Sequence, residues 1–289
     1  MINFRYHLVS LAAVLLALAV GIILGSGPLD DTRTSFGGSN DSAPDPALAG
    51  FEEAYAERTG SSLADGVLRD RSVVLLTTPD ARTDEVAGIT ADLKQSGATI
   101  TGTVKLTSKL LDPANRQFAE GVAQQAAGDD ESVSSATDGY GRVGAAIARA
   151  YLGKGDVDDV GSMIASAFSE GELVAADEAP ATRASLTLIV AGPGTSDTAS
   201  GESQVVAQLS QVLSASGDGA VVVGPSSSSE DGGAVAAVRG GDAAATVSTL
   251  DVTDSAAGRV VVPLVVAQQA AGTVGSWGTS RGADGALPQ

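Results

Sequence analysis

The sequence predicts an α/β fold, with an N-terminal transmembrane helix followed by a three-layer domain around a largely parallel sheet. Two observations predict the sheet. Short runs rich in Val, Leu and Ile recur at SVVLLTTPD (72–80), ATITGTVKL (98–106), SLTLIVAG (185–192), AVVVGPS (220–226) and TVSTLDV (246–252), and stretches of helical periodicity separate them. Strands that read as near-continuous apolar runs are those buried on both faces, and adjacent strands joined through a helix are normally parallel. The third observation is the opening run LVSLAAVLLALAVGIIL (8–24), apolar apart from Ser10. At about 1.5 Å per residue it makes roughly 26 Å of helix, near the lower limit for crossing a bilayer.

The opening run is read as an uncleaved anchor occupying residues 1–27. A cleaved signal peptide is the alternative, and Ala17-Leu18-Ala19 fits its A-x-A spacing, but that triplet lies inside the apolar run rather than after it. Arg5 precedes the helix and Arg33 follows it, so the count of basic residues is close to balanced. The very short N-terminal flank favours a cytoplasmic N-terminus and an exported remainder, with Phe4 and Tyr6 at the cytoplasmic interface. Ala13, Ala17, Gly21 and Gly25 recur at four-residue steps and form a ridge on which two helices could pack closely as a homodimer. The competing explanation is that Ala and Gly are abundant throughout this chain.

Residues 28–47, rich in Gly, Pro, Ser and Asp, read as a flexible linker. An extracytoplasmic α/β domain is expected over 48–278 and a disordered tail over 279–289. Within the domain, FEEAYAERTGSSLADGVL presents Phe51, Ala54, Tyr55 and Leu63 on a helical face that would pack against the remainder of the domain. TDEVAGITADLKQSG reads as a helix begun by Thr83 or Asp84 and stopped by Gly97. Further helices are expected from Pro113 to Ala127, in RVGAAIARAYLG, in DVDDVGSMIASAFSEGEL, in ESQVVAQLSQVLSASG, around Ala234 to Val238, and across GRVVVPLVVAQQAAGTVGSW.

The formal net charge of -18 argues against a nucleic-acid partner, because no basic stripe is present to displace phosphate counterions. Cysteine is absent, which removes disulfides, thiolate nucleophiles and thiolate metal sites. The single histidine, His7, lies at the mouth of the apolar run, so the domain has no Ser-His pair and is read as neither an enzyme nor a cofactor protein. The paired acids Asp129-Asp130 and Asp158-Asp159 read as solvated loop and helix-start residues rather than catalytic or metal-binding pairs. Gly192, Pro193 and Gly194, and again Gly224 and Pro225, follow apolar strands directly, where parallel sheets bind ligands. Neither turn carries a phosphate-binding glycine pattern, and each proline removes a backbone donor. Compact turn geometry explains both, with a small-molecule or peptide crevice as the alternative.

The block FRYHLVSLAAVLLALAVGIILGSGPL resembles the N-terminus of the actinobacterial MctB-like family of copper transport proteins. The resemblance continues through FEEAYAERTGSSLADGVLRDRSVVLLTTPDA and GRVVVPLVVAQQAAGTVGSWG. It implies a membrane-anchored extracytoplasmic protein associated with copper transport or homeostasis, and kinship with SteB-like envelope proteins linked to cell division. Relatives usually carry a coiled coil between anchor and domain, where this chain shows only a tether. Thiolate and thioether ligands suit Cu(I) and imidazole suits Cu(II). With only Met1, Met163 and His7 as such donors, the expected role in copper handling is indirect. The alternative is a non-catalytic scaffold that docks cell-division or cell-wall partners.

Overall fold

The computed structural model describes residues 46–136, 138–176, 179–194 and 199–288. The anticipated anchor, its Ala13, Ala17, Gly21 and Gly25 ridge, and all but the end of the linker lie outside the described residues. Residues Gly50–Gln289 form one compact unit. Among the described residues no helix is long and apolar enough to cross a membrane.

The strands are β1 (Ser72–Thr77), β2 (Thr99–Leu106), β3 (Val174–Ala175), β4 (Leu186–Val190), β5 (Ala220–Val223), β6 (Val247–Leu250) and β7 (Ser276–Trp277). They form a seven-stranded sheet in the order β3-β2-β1-β4-β5-β6-β7. All neighbours are parallel except β3, which pairs antiparallel with β2. The five apolar runs of the sequence are β1, β2, β4, β5 and β6. Two edge strands of two residues each were not anticipated, being too short to carry any hydrophobic period.

The helices are α1 (Pro46–Leu63), α2 (Thr83–Gln95), α3 (Ser108–Leu111), α4 (Arg116–Ala127), α5 (Glu131–Ser134), α6 (Gly139–Tyr151), α7 (Asp159–Glu170), α8 (Ala199–Ser216), α9 (Ala234–Gly240) and α10 (Ala256–Ala270). Period-2 alternation along the strands divides them between two faces. Val74, Leu76, Ile189 and Val222 point into a core shared with α4, α6, α7, α8 and α9. Val73, Leu75, Leu188, Val190 and Val223 point into a second core closed by α2 and α10. Helices on both faces of a parallel sheet make the three layers. Ile89 and Leu93 of α2, both fully buried, contribute about 1.5–3 kcal/mol each by leaving water.

Helix ends follow local chemistry. Gly97, at φ +93°, closes α2 in a Schellman arrangement, with Ala98 N–H donating to Leu93 O at 3.0 Å and Gly97 N–H to Lys94 O at 3.1 Å. At the other end the expected cap differs. Arg82 holds the N-cap position with no side-chain cap, and Thr83 is already helical. Asp138, Asp158 and Ser255 cap α6, α7 and α10 by accepting from the N–H groups of Gly141, Gly161 and Gly258. Between α4 and α6 the chain forms the one-turn helix α5, capped by Asp130.

Three boundaries differ from the sequence reading. Helix α1 begins at Pro46, inside the expected linker, and buries the opposite face from the one anticipated. Phe51, Ala54, Tyr55 and Leu63 are exposed, while Ala56, Gly60 and Ala64 are buried. That ridge of small residues lets the helix backbone lie against α10, where a Cβ on Gly60 would sit 2.3 Å from Val260 Cγ1. Bulky side chains on that face would hold the two helices apart. The last helix stops at Ala270, and the chain re-enters the sheet as β7. Beyond it, Gly278 N–H donates to Gly285 O at 3.0 Å and Ser276 N–H to the Asp284 carboxylate at 2.8 Å. The segment expected as a loose tail therefore folds back on β7.

Candidate functional site

The strand order reverses direction between β1 and β4, the position where open parallel sheets bind ligands beyond their carboxyl ends. The strands end level there, since Thr77 pairs with Val190, Val190 with Val223, and Val223 with Leu250. Gly192, Pro193 and Gly194 follow β4 at this point, opposite Thr78 and Asp80 of the β1–α2 turn. Gly192 N–H donates to Thr78 Oγ1 at 2.9 Å, and that hydroxyl donates to Asp80 Oδ1 at 2.6 Å. Gly194 N–H donates to Asp80 Oδ2 at 3.1 Å. The Asp80 carboxylate and the Thr78 hydroxyl of the chain itself thus take, one each, the backbone donors that a phosphate would otherwise use.

The space beside this turn is about 20 Å³, lined by Thr78, Asp80, Leu111, Gly194, Glu202 and Ser203. That is room for a water molecule and little more. Burial, then Asp80 and Asp112, raise the Glu202 carboxyl above its ordinary value. An anion would meet repulsion from these acids. Gly192 is required by packing, because a Cβ there would lie 2.4 Å from the backbone of Asp80. The pair Gly224 and Pro225 belongs to a separate turn after β5. Gly224 O accepts from Thr253 N–H at 3.1 Å, and Ser228 Oγ donates to Pro225 O at 2.6 Å. A Cβ on Gly224 would meet Ser228 Oγ at 2.5 Å. Each turn makes the contacts of compact geometry, and among the described residues the cavity lined by Gly192 and Gly194 does not include Gly224 or Pro225.

The acidic pairs are placed at helix starts. Arg149 gathers two of their members, with Nε at 2.7 Å from Asp130 Oδ2 and the guanidinium fork on both oxygens of Asp158 at 2.9 Å. Arg149, then the Gly161 N–H, hold Asp158 well below the ordinary carboxylate range. Asp130 is lowered chiefly by Ser132, against burial, with Arg149 adding to the effect. Among the described residues no group of three or more His, Asp or Glu side chains is placed to hold a metal ion. Met163, on α7, is the one soft sulfur donor among them and is 57% exposed.

Sequence reasoning missed the most buried charges. Arg239 of α9 donates through Nη1 to Asp251 Oδ2 at 2.6 Å, with side-chain exposures of 7% and 0%. Its remaining donors reach Thr249 Oγ1, Trp277 O and Ser280 Oγ at 2.6–2.8 Å. Asp251 also accepts from Thr279 N–H at 2.7 Å and Ser280 N–H at 3.3 Å. Burial pulls this carboxyl up, but Ser280, Arg239 and Thr279 together hold it below its ordinary value. The only sequence signal was an Asp directly after a buried strand, too common a pattern to single out. This cluster ties β6, α9 and the C-terminal segment through four hydrogen bonds from Arg239.

A second missed acid is Glu85, 5% exposed in the first turn of α2 and hydrogen-bonded by Thr253 Oγ1. It forms the floor of an open cleft of about 310 Å³ between the starts of α2 and α10, with Arg82, Asp84, Asp254 and Arg259 around it.

The comparisons with known proteins cover the whole chain. The family described as "Copper transport outer membrane protein, MctB" matches residues 1–288. Proteins named copper transporter MctB from Mycobacterium bovis and Mycobacterium tuberculosis are 31% identical over 310 residues, covering 98% of this chain and 98% of each relative. The corresponding protein of Mycobacterium leprae is 30% identical over 322 residues with the same coverage. Similarity at this level over full length carries the α/β domain and the preceding apolar segment together. The chain belongs to the MctB family of copper transport outer membrane proteins.

Proposed function

We propose that this protein is a membrane-anchored envelope protein that takes part in copper transport or homeostasis without a copper site of its own. The observation that carries the first half is the match to copper transporters along 98% of the chain. The second half is supported by the donor set. Copper would be cargo, and a chain with no Cys, a single His and two Met offers few of the ligands that select it over harder cations. Residues 1–27 hold the protein in the membrane with the N-terminus cytoplasmic, and the ridge of Ala13, Ala17, Gly21 and Gly25 supports a homodimer. The α/β domain faces outward, and its effect on copper passes through another envelope component. A non-catalytic scaffold for cell-division or cell-wall partners is the second reading, favoured by the exposure of Phe51, Tyr55 and Leu63 on α1.

Complementation tests the proposal. Cells lacking the protein are expected to show altered copper content, and the double variant His7→Ala, Met163→Leu is expected to restore it as well as the unaltered chain does. Failure of the double variant, at equal membrane abundance, would show that these side chains handle copper directly. An unchanged copper content in the deletion, with a division or cell-wall defect, would support the scaffold.

A further inference from the structure

A groove of about 330 Å³ lies at the β3 end of the sheet, between α7 and the segment that leads from β3 towards β4. Its volume is near the lower limit for clefts that hold a small molecule. Both walls are fixed. Asp158 caps α7 and is held by Arg149 at 2.9 Å, and on the other side Pro180 packs so closely onto β2 that a Cβ on Gly102 would lie 2.6 Å from its Cγ. Ala181 O accepts from Val157 N–H at 2.9 Å and ties that wall to the start of α7. The groove is therefore preformed.

Ser162, Ser166 and Ser169 stand at i, i+4 and i+7 on α7 and line one side over roughly 10 Å of helix. Elsewhere serine hydroxyls turn back on their own helix, as Ser96 Oγ does to Asp92 O and Ser216 Oγ to Val212 O, both at 2.7 Å. Those of Ser162, Ser166 and Ser169 make no hydrogen bond among the described residues. A row of small side chains does not by itself make a site, and the floor of the groove adds a second feature. Tyr151, the last residue of α6, is 4% exposed and lines the groove, yet its hydroxyl has no hydrogen-bond partner among the described residues. The unbonded hydroxyl of Tyr140 is sealed within protein, whereas that of Tyr151 is open to the groove. Burial pushes the Tyr151 phenol up to about 12, so it stays a neutral donor. A buried hydroxyl without a partner is a cost that a ligand oxygen would relieve.

The rest of the lining is apolar, with Val157, Ala165, Val174 and Pro180 prominent, and Glu170 at the rim is its one charged side chain among the described residues. Serine hydroxyls donate and accept, a carboxylate accepts from neighbouring hydroxyls, and the phenol donates. This set suits a molecule whose polar groups are themselves hydroxyls and whose C–H faces are apolar. An anion would meet Glu170 and no cation in the lining. An extended peptide would need a strand edge to pair with, and β3 offers only two residues. We propose that this groove binds a neutral saccharide about the size of a disaccharide, with Tyr151 donating at the floor, Glu170 accepting at the rim and a C–H face of the sugar against Pro180. The site lies at the opposite edge of the sheet from the Arg239 cluster, and it stands independently of the copper reading.

The chain has four tyrosines, Tyr6, Tyr55, Tyr140 and Tyr151, so full-length protein labelled with carbon-13 at tyrosine Cζ gives a readable spectrum. A zwitterionic detergent without a sugar head group keeps the micelle from competing. The probes are maltose, cellobiose and N,N′-diacetylchitobiose. At least one is expected to shift the Tyr151 signal saturably, assigned by its loss in Tyr151→Phe, while the Tyr140 signal stays in place. Tyr151→Phe is expected to weaken that sugar about fivefold, read by saturation transfer from protein to sugar, with the thermal midpoint unchanged because the hydroxyl bonds nothing in the chain. Ser166→Trp, at an exposed position on the groove wall, is expected to abolish binding. No Tyr151 shift with any of these sugars, sugar binding unchanged in both variants, or a Tyr151 shift caused by an alternating Ala-Val hexapeptide and by no sugar would each overturn the proposal.

Discussion

Replacing Arg239 with alanine should strand Asp251 as a buried, uncompensated charge. The two side chains are 7% and 0% exposed, and the pair is 2.6 Å apart. Removing one partner from a buried ion pair typically costs about 3–5 kcal/mol, most of it the penalty on the charge left behind. The loss should be visible in urea unfolding of the full-length chain, followed by circular dichroism. Trp277, the only tryptophan, gives a local reading, since Arg239 Nη2 donates to its carbonyl at 2.8 Å. Its emission should shift in the folded variant as β7 loosens. The pH dependence has a definite sign. Asp251 is lowered in the folded state, so its contribution is present above its ordinary 3.8 and is lost as pH falls through the folded value. The gap between Arg239→Ala and the native chain should therefore narrow under acid, when the stranded carboxylate protonates. Arg239→Met combined with Asp251→Leu should recover much of the loss by removing both charges. A cost below about 1 kcal/mol at neutral pH, the range of exposed pairs, with unmoved Trp277 emission, would refute the view that this pair anchors the C-terminal segment.

Two further substitutions probe close approaches. Gly278 sits at φ +128°, and a Cβ there would lie 1.9 Å from Asp251 Oδ1. Gly278→Ala should cost about 1–3 kcal/mol from backbone strain alone and should shift Trp277 emission in the same direction as Arg239→Ala. Gly60→Leu should lever α1 off α10 at Val260, as overpacking of this kind costs about 1–3 kcal/mol. Amide exchange would then accelerate in residues 56–64 while β1, β4 and β5 keep their protection, and uniform loss across the sheet would contradict a peripheral position for α1.

The central strands were legible because each is buried on both faces, and burial on both faces writes itself as an unbroken apolar run. Val73 to Leu76 and Leu186 to Val190 needed no tertiary information. The edge strands β3 and β7 were illegible for the converse reason: two residues contain no period, and their pairing is decided by neighbours far away in the chain. Helix α1 shows a different limit. Large apolar side chains were read as its buried face, but close helix packing selected Ala56, Gly60 and Ala64 instead, leaving Phe51 and Tyr55 exposed. The Gly-Pro turns were placed correctly beyond the strands, yet whether such a turn is open depends on what faces it. Asp80 faces Gly194 only because β1 and β4 are adjacent, a fact of topology rather than of local sequence.

The carboxyl edge of the sheet has a consistent character across its length. At β1 and β4 the Asp80 carboxylate takes the Gly194 donor, at β5 the Ser228 hydroxyl turns back on Pro225, and at β6 the Asp251 carboxylate is consumed by Arg239 and the C-terminal segment. In nucleotide-binding sheets these same strand ends leave backbone donors unpaired for an incoming anion. Here these polar groups are satisfied within the chain, so the loops stitch the domain together and raise its rigidity. Glu85 differs from them, because its charged form is disfavoured by burial and it borders an open cleft between α2 and α10. The switch point is the best tied of these strand ends, because three hydrogen bonds there must break together, Gly192 N–H to Thr78 Oγ1, Thr78 Oγ1 to Asp80 Oδ1 and Gly194 N–H to Asp80 Oδ2.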